Sequence, residues 1–136
     1  MDKLYAFLHP LRTNQEKEVI ISDRFQDENG NVIPFRIRAL TQEESDEITK
    51  KSRRGQKVNG VYQERLDPVE FNRRMVVAAT VEPAFNDKAL CEAYGVMDPL
   101  LVPGKMLLSG EYTALLDAIS KLSGFDKDAV VDEAKN

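Results

Sequence analysis

Residues 66–83 constrain the fold more than any other stretch, because they read as a helix with no polar side to leave in water. Asp67 can cap its start, Pro68 suits the first helical position, and Glu70 completes a capping-box-like pair. Pro83 marks its end, since the residue before a proline is pushed out of helical geometry. Phe71, Met75, Ala78 and Ala79 form one apolar stripe, and Val76, Val77 and Val81 carry apolar character round the other sides. A helix that is apolar all round is normally covered all round. The stretch therefore predicts the central helix of a small domain, with the rest of the chain supplying its neighbours.

The remainder is large enough to do so. A chain of 136 residues can bury roughly 68% of its unfolded surface, and 42% hydrophobic with 31% charged residues argues against wholesale disorder. A single domain over 1–136 is expected. The net charge of -4 disfavours non-specific nucleic-acid binding, which wants a basic surface. One cysteine forms no internal disulfide. No apolar run approaches the roughly 20 residues that span a bilayer, and the N-terminus lacks the basic region and long apolar core of a signal peptide. Neither a nucleic acid nor a membrane is expected as partner, and the cytosol is the expected compartment.

Along the chain, an N-terminal arm over 1–15 opens with Leu4, Tyr5, Phe7 and Leu8, which fit one or two helical turns before Pro10. Two readings stand: an arm packed onto the body, or a partner-binding or oligomer-swapping arm. Residues 17–40 predict a β-hairpin. Val19, Ile21 and Phe25 share one parity, Ile33, Phe35, Ile37 and Ala39 share another, and Asn29-Gly30 is a strong turn signal between them. Pro34 suggests an edge strand. Residues 41–124 predict the helical part. Thr41-Gln-Glu-Glu44 is a capping box opening a helix through about Arg54, with acids first and bases last, as the helix dipole prefers. Residues 55–65 fit a small hairpin or a loop around Asn59-Gly60. A short helix capped by Asn86 stops at Gly95, and one or two helices follow over 105–124. There Leu108, Tyr112, Leu115, Leu116, Ile119 and Leu122 recur at helical spacing. A weakly docked helix over 126–136 ends the chain. The expected class is α+β, a β-hairpin packed against a bundle of about five α-helices.

Catalytic and metal constellations are not what this sequence offers. His9 is the only histidine, far in sequence from Cys91, so nucleophile–base pairs and soft-ligand zinc sites lack components. Pro103-Gly104-Lys105 lacks the earlier glycine of a phosphate loop, and Asp27-Glu-Asn-Gly-Asn31 lacks the spacing of a calcium loop. No enzyme, cofactor or metal is expected.

Three sets of strings, in order, cover nearly the whole chain. They are Phe7-Leu8, Ser22-Asp-Arg-Phe25, Asp27-Glu-Asn-Gly30, Phe35-Arg-Ile-Arg-Ala-Leu40 and Glu43-Glu44; then Val81-Glu-Pro83, Leu90 and Tyr94-Gly-Val96; then Met106-Leu-Leu-Ser-Gly-Glu-Tyr112, Leu115-Leu116 and Leu122-Ser-Gly-Phe125. Together they resemble the XkdN-like tail assembly chaperones of contractile-tailed phages and phage-derived elements. Phe35 departs, standing where that family often has tryptophan. The resemblance implies a non-enzymatic protein of the bacterial host cytoplasm. It would bind the tape measure protein, keep it soluble and assist tail tube polymerisation, and be absent from the finished particle. The tail tube protein and a second copy of the chain are further candidate partners. A tape measure protein is largely long helix, so its apolar stripes would dock in grooves between helices. The surfaces expected to receive it are the Leu4, Tyr5, Phe7 and Leu8 arm and the Tyr112, Leu115, Ile119 and Leu122 face. Completing the core is the competing reading for both. The rival function is a small structural or connector protein retained in the virion.

Overall fold

The structure, a computed structural model, describes residues 3–11 and 15–125. The helix expected over 126–136 lies outside the described residues. Within them the order is α1 (Leu4–Leu8), β1 (Glu16–Val19), β2 (Phe35–Arg38), α2 (Gln42–Lys51), β3 (Arg53–Val58), β4 (Val61–Leu66), α3 (Pro68–Ala79), β5 (Thr80–Glu82), α4 (Lys88–Ala93), α5 (Val102–Met106) and α6 (Ser109–Leu122). The class is α+β, as expected. The arrangement differs: six α-helices are described rather than about five, and the strands form two separate sheets rather than one hairpin.

The first sheet is antiparallel in the order β1-β2-β5. Its register sets Glu16 opposite Arg38 and Glu18 opposite Arg36, so unlike charges face across the ladder. Phe35 and Ile37 point the other way and are buried, whereas Ile33, expected on that same face, is exposed. Asn29-Gly30 does turn the chain, but locally. Gly30 takes a positive φ of 83°, the Asp27 carboxylate accepts the Asn29 and Asn31 N–H groups, and one bridge joins Gln26 to Val32. The ladder forms further out because its apolar residues must meet the core. Pro34 does not mark an edge: it immediately precedes β2, the central strand, and so removes no hydrogen bond from the ladder.

α3 begins where the sequence places it, with the Asp67 side chain accepting from the Val69 and Glu70 N–H groups. The Glu70 side chain turns to Arg74 at 2.9 Å rather than back to the cap. No residue from 70 to 79 is exposed, as an all-round apolar helix requires. The helix stops at Ala79, earlier than Pro83 suggests. Thr80 and Val81 are β-branched, and the segment pairs with β2 as β5.

α2 keeps its capping box but ends at Lys51, and residues 53–66 form the second sheet, β3 paired with β4. Asn59 and Gly60 take φ values of 53° and 79°, the left-handed pair that suits the twist of a two-residue hairpin. The small-hairpin alternative for 55–65 is the one observed. α4 is capped by Asp87 rather than Asn86, and both it and α6 end on left-handed glycines, Gly95 and Gly124. The core gathers Phe35 and Ile37 of β2, Val76 and Ala79 of α3, Phe85, Val102 and, on α6, Leu115 and Ile119.

Candidate protein-binding surface

The strings that carry the resemblance meet in space as internal braces. Arg24, in the 20–34 connection, reaches Glu111 at the start of α6. Its Nε donates to Oε2 at 3.0 Å, Nη2 donates to Oε1, and Nη2 also donates to the Met106 carbonyl at 3.2 Å. Glu111 accepts in addition from the Leu108 N–H at 2.8 Å. Arg24 above all, then Ser22 and Leu108, hold the Glu111 carboxyl down to about 2. A second two-pronged pair joins Arg38 to Glu44, at 3.0 and 2.6 Å. Arg38, together with the Thr41 N–H, holds Glu44 down to about 2. These motifs fix the fold rather than present chemistry.

An open groove runs beside the second pair. Gln15, Glu16, Arg38, Leu40, Thr41 and Glu44 form one wall and residues 121–124 the other, enclosing about 830 Å³. It continues along α6 past Lys17, Ala114, Asp117 and Ala118, sharing Lys121 and Leu122. Charged side chains alternate with small and apolar ones along this trough between β1 and α6, and the Lys121–Asp117 pair, 3.1 Å apart, is part of its lining.

The expected site residues fall into two environments. Leu4, Tyr5, Phe7 and Leu8 lie on α1 and are 55%, 66%, 80% and 64% exposed, with Leu11 beyond them at 95%. No residue of α1 is buried, and Tyr5 stacks on His9 with ring centroids 4.3 Å apart. On α6, Leu115 and Ile119 are wholly buried, whereas Tyr112 and Leu122 are half-buried and pack against the core from its margin. Burial raises the Tyr112 hydroxyl above its ordinary value, opposed by Arg73. Of the expected α6 face, then, only its borders reach the surface, and Leu122 alone lines the trough. Sequence reasoning missed the trough itself, because its walls come from segments far apart in the chain, residues 15–44 on one side and 121–124 on the other. Among the described residues no group of three or more His, Cys, Asp or Glu side chains is placed to hold a metal ion, and no helix is long and apolar enough to cross a membrane.

The described residues thus combine an exposed apolar arm, an ion-paired α+β body and an open trough along α6. The chain belongs to the phage XkdN-like tail assembly chaperone family, whose model matches residues 4–135. It is 38% identical over 143 residues to the uncharacterised protein YqbN of Bacillus subtilis strain 168, covering 99% of this chain and 96% of that one. It is 36% identical over 137 residues to protein XkdN of the phage-like element PBSX of the same strain, covering 96% and 93%. The crystal structure of YqbN superposes with a TM-score of 0.71 over 89% of this chain and 96% of that chain.

Proposed function

We propose that this chaperone binds the tape measure protein in the cytoplasm of the bacterial host, keeps it soluble and assists polymerisation of the tail tube around it. The observation that carries this reading is the arm. Four large apolar side chains on a helix of five residues, too short to stand alone, are left in water. Large exposed apolar groups of this kind mark interaction sites. The apolar stripes of a long helical client are the complementary chemistry. Tyr112 and Leu122 extend the surface along α6, and Leu115 and Ile119 support it from beneath. Chain 1–136 acts as one domain, and the work is binding, not catalysis.

Co-expression with the tape measure protein tests this. The client is expected to become soluble and to co-purify only with the wild-type chain. Phe7→Ser with Leu8→Ser is expected to abolish co-purification while moving the melting temperature by no more than about 3 °C, as for surface changes. A client that stays insoluble beside the wild-type chain would overturn the reading. Stable retention of the protein in purified particles would favour a structural role in the virion instead.

A further inference from the structure

The β3–β4 hairpin is the most unusual surface of the molecule. A two-stranded hairpin is marginal alone in water, yet this one exposes every residue except Val58, and among the described residues no further strand pairs with either edge. It is held to the body at its base, where the Asp67 N–H donates to the Ser52 carbonyl at 2.8 Å and Arg54 pairs with Asp67 at 3.0 Å. Its charge is opposite to that of the rest. Residues 53–66 hold four of the 19 Lys and Arg residues and one of the 23 Asp and Glu residues, which makes the hairpin +3 and the remainder of the chain -7.

One face of the hairpin presents Arg53, Lys57 and Tyr62 together with Glu64 and Leu66, as the pairs Arg53–Leu66, Gly55–Glu64 and Lys57–Tyr62 require, so its bases outnumber its one acid. Tyr62 lies over Gly55, where a β-carbon would collide with its ring, and is 64% exposed. Neither Arg53 nor Lys57 makes an ion pair among the described residues. The complementary surface lies on the same molecule. Between α2 and α3 runs a groove of about 320 Å³ with Ile48 and Ala78 as apolar floor and Glu43, Glu44 and Glu47 as rim. Glu44 is committed to Arg38, but Glu43 is unpaired among the described residues and Glu47 makes only a loose surface pair with Lys50 at 3.5 Å.

We infer that the hairpin of one copy docks in the α2–α3 groove of a second copy, Tyr62 on the floor, with Arg53 and Lys57 against Glu43 and Glu47. The groove runs along α2 from Glu43 to Ile48 and the hairpin follows the last residue of that helix, so one copy carries both donor and acceptor. Such a contact is heterologous: each copy serves two neighbours, giving a ring or an open chain. It stands apart from client binding, which uses the arm.

Sedimentation of the purified chain over a concentration series tests this. The mass is expected to rise above 15.4 kDa with concentration at low salt and to fall back at high salt. Arg53→Glu with Lys57→Glu, and separately Glu43→Lys with Glu47→Lys, are each expected to weaken association by roughly tenfold or more. All four residues are exposed, so both variants keep their fold, checked by circular dichroism. The two variants mixed are expected to associate again, because the reversed hairpin of one matches the reversed groove of the other. Tyr62→Ala, which leaves the charges in place, is expected to weaken association by roughly tenfold. A wild-type chain that stays at 15.4 kDa throughout, or a mixture that fails to associate, overturns the inference. So does salt-sensitive binding of duplex DNA without self-association, which would make the basic hairpin a nucleic-acid arm.

Discussion

Leu115→Ala is expected to destabilise the fold by about 2–5 kcal/mol, the range for truncating a fully buried leucine. In a domain of this size that lowers the melting temperature by roughly 10 °C or more. Leu115 is wholly buried, and one turn further along α6 so is Ile119; both join the cluster that holds Val76 and Ala79 of α3 and Ile37 of β2. Removing the side chain leaves a cavity whose walls belong to three elements, and the helix and sheet around it can close only in part. Urea titration followed by circular dichroism reads the loss, with Leu8→Ala on the exposed arm as the comparison, expected within about 0.5 kcal/mol of wild type. A loss below about 1 kcal/mol for Leu115→Ala would mean that the inner face of α6 is not core. That face would then return as a surface for the client.

The same pair of residues shows where reading the sequence stops. A stripe at helical spacing says that one side of α6 is apolar, and the pattern is identical whether that side meets α3 or a partner. The arm was no more legible: Leu4, Tyr5, Phe7 and Leu8 ahead of Pro10 fit an arm packed onto the body as well as one held away from it, and only the structure shows them exposed. Local chemistry carried the elements: Asp67 and Thr41 cap α3 and α2, Gly95 and Gly124 end α4 and α6, and the parity of Phe35 and Ile37 gives the buried face of β2. Long-range pairing was not legible. Two Asn-Gly turns carry the same local signal, yet only Asn59-Gly60 closes a continuous ladder. Around Asn29-Gly30 the flanking residues instead form the connection that brings Arg24 to Glu111, 87 positions away. β5 was hidden for another reason. Val81 serves an apolar helix or an apolar strand equally well, and only the presence of β2 alongside decides.

Those two arginine–carboxylate pairs set the expected response to acid. Glu44 and Glu111 are each held from 4.5 down to about 2 in the folded protein, chiefly by Arg38 and Arg24. In the unfolded chain both titrate near the ordinary value. Between about pH 5 and pH 2 the unfolded state therefore binds more protons than the folded state, and stability rises with pH across that window. The contribution of each pair is fully present above the unfolded value and is lost as pH falls through the folded one. Glu44 and Arg38 are each 34% exposed, so after discounting for solvent screening the Glu44 pair is worth about 1 kcal/mol. Glu44 also closes the capping box of α2, so its protonation loosens a helix end as well as an ion pair. The urea midpoint is expected to fall steadily from about pH 5 to pH 3 and the melting temperature with it. Glu44→Gln is expected to start lower at neutral pH and to fall less over the same window, since one of the two titrating pairs has gone. Equal slopes for Glu44→Gln and the wild type would show that the Arg38 pair adds nothing to stability, and would assign the acid sensitivity to the Arg24–Glu111 brace and the remaining carboxylates.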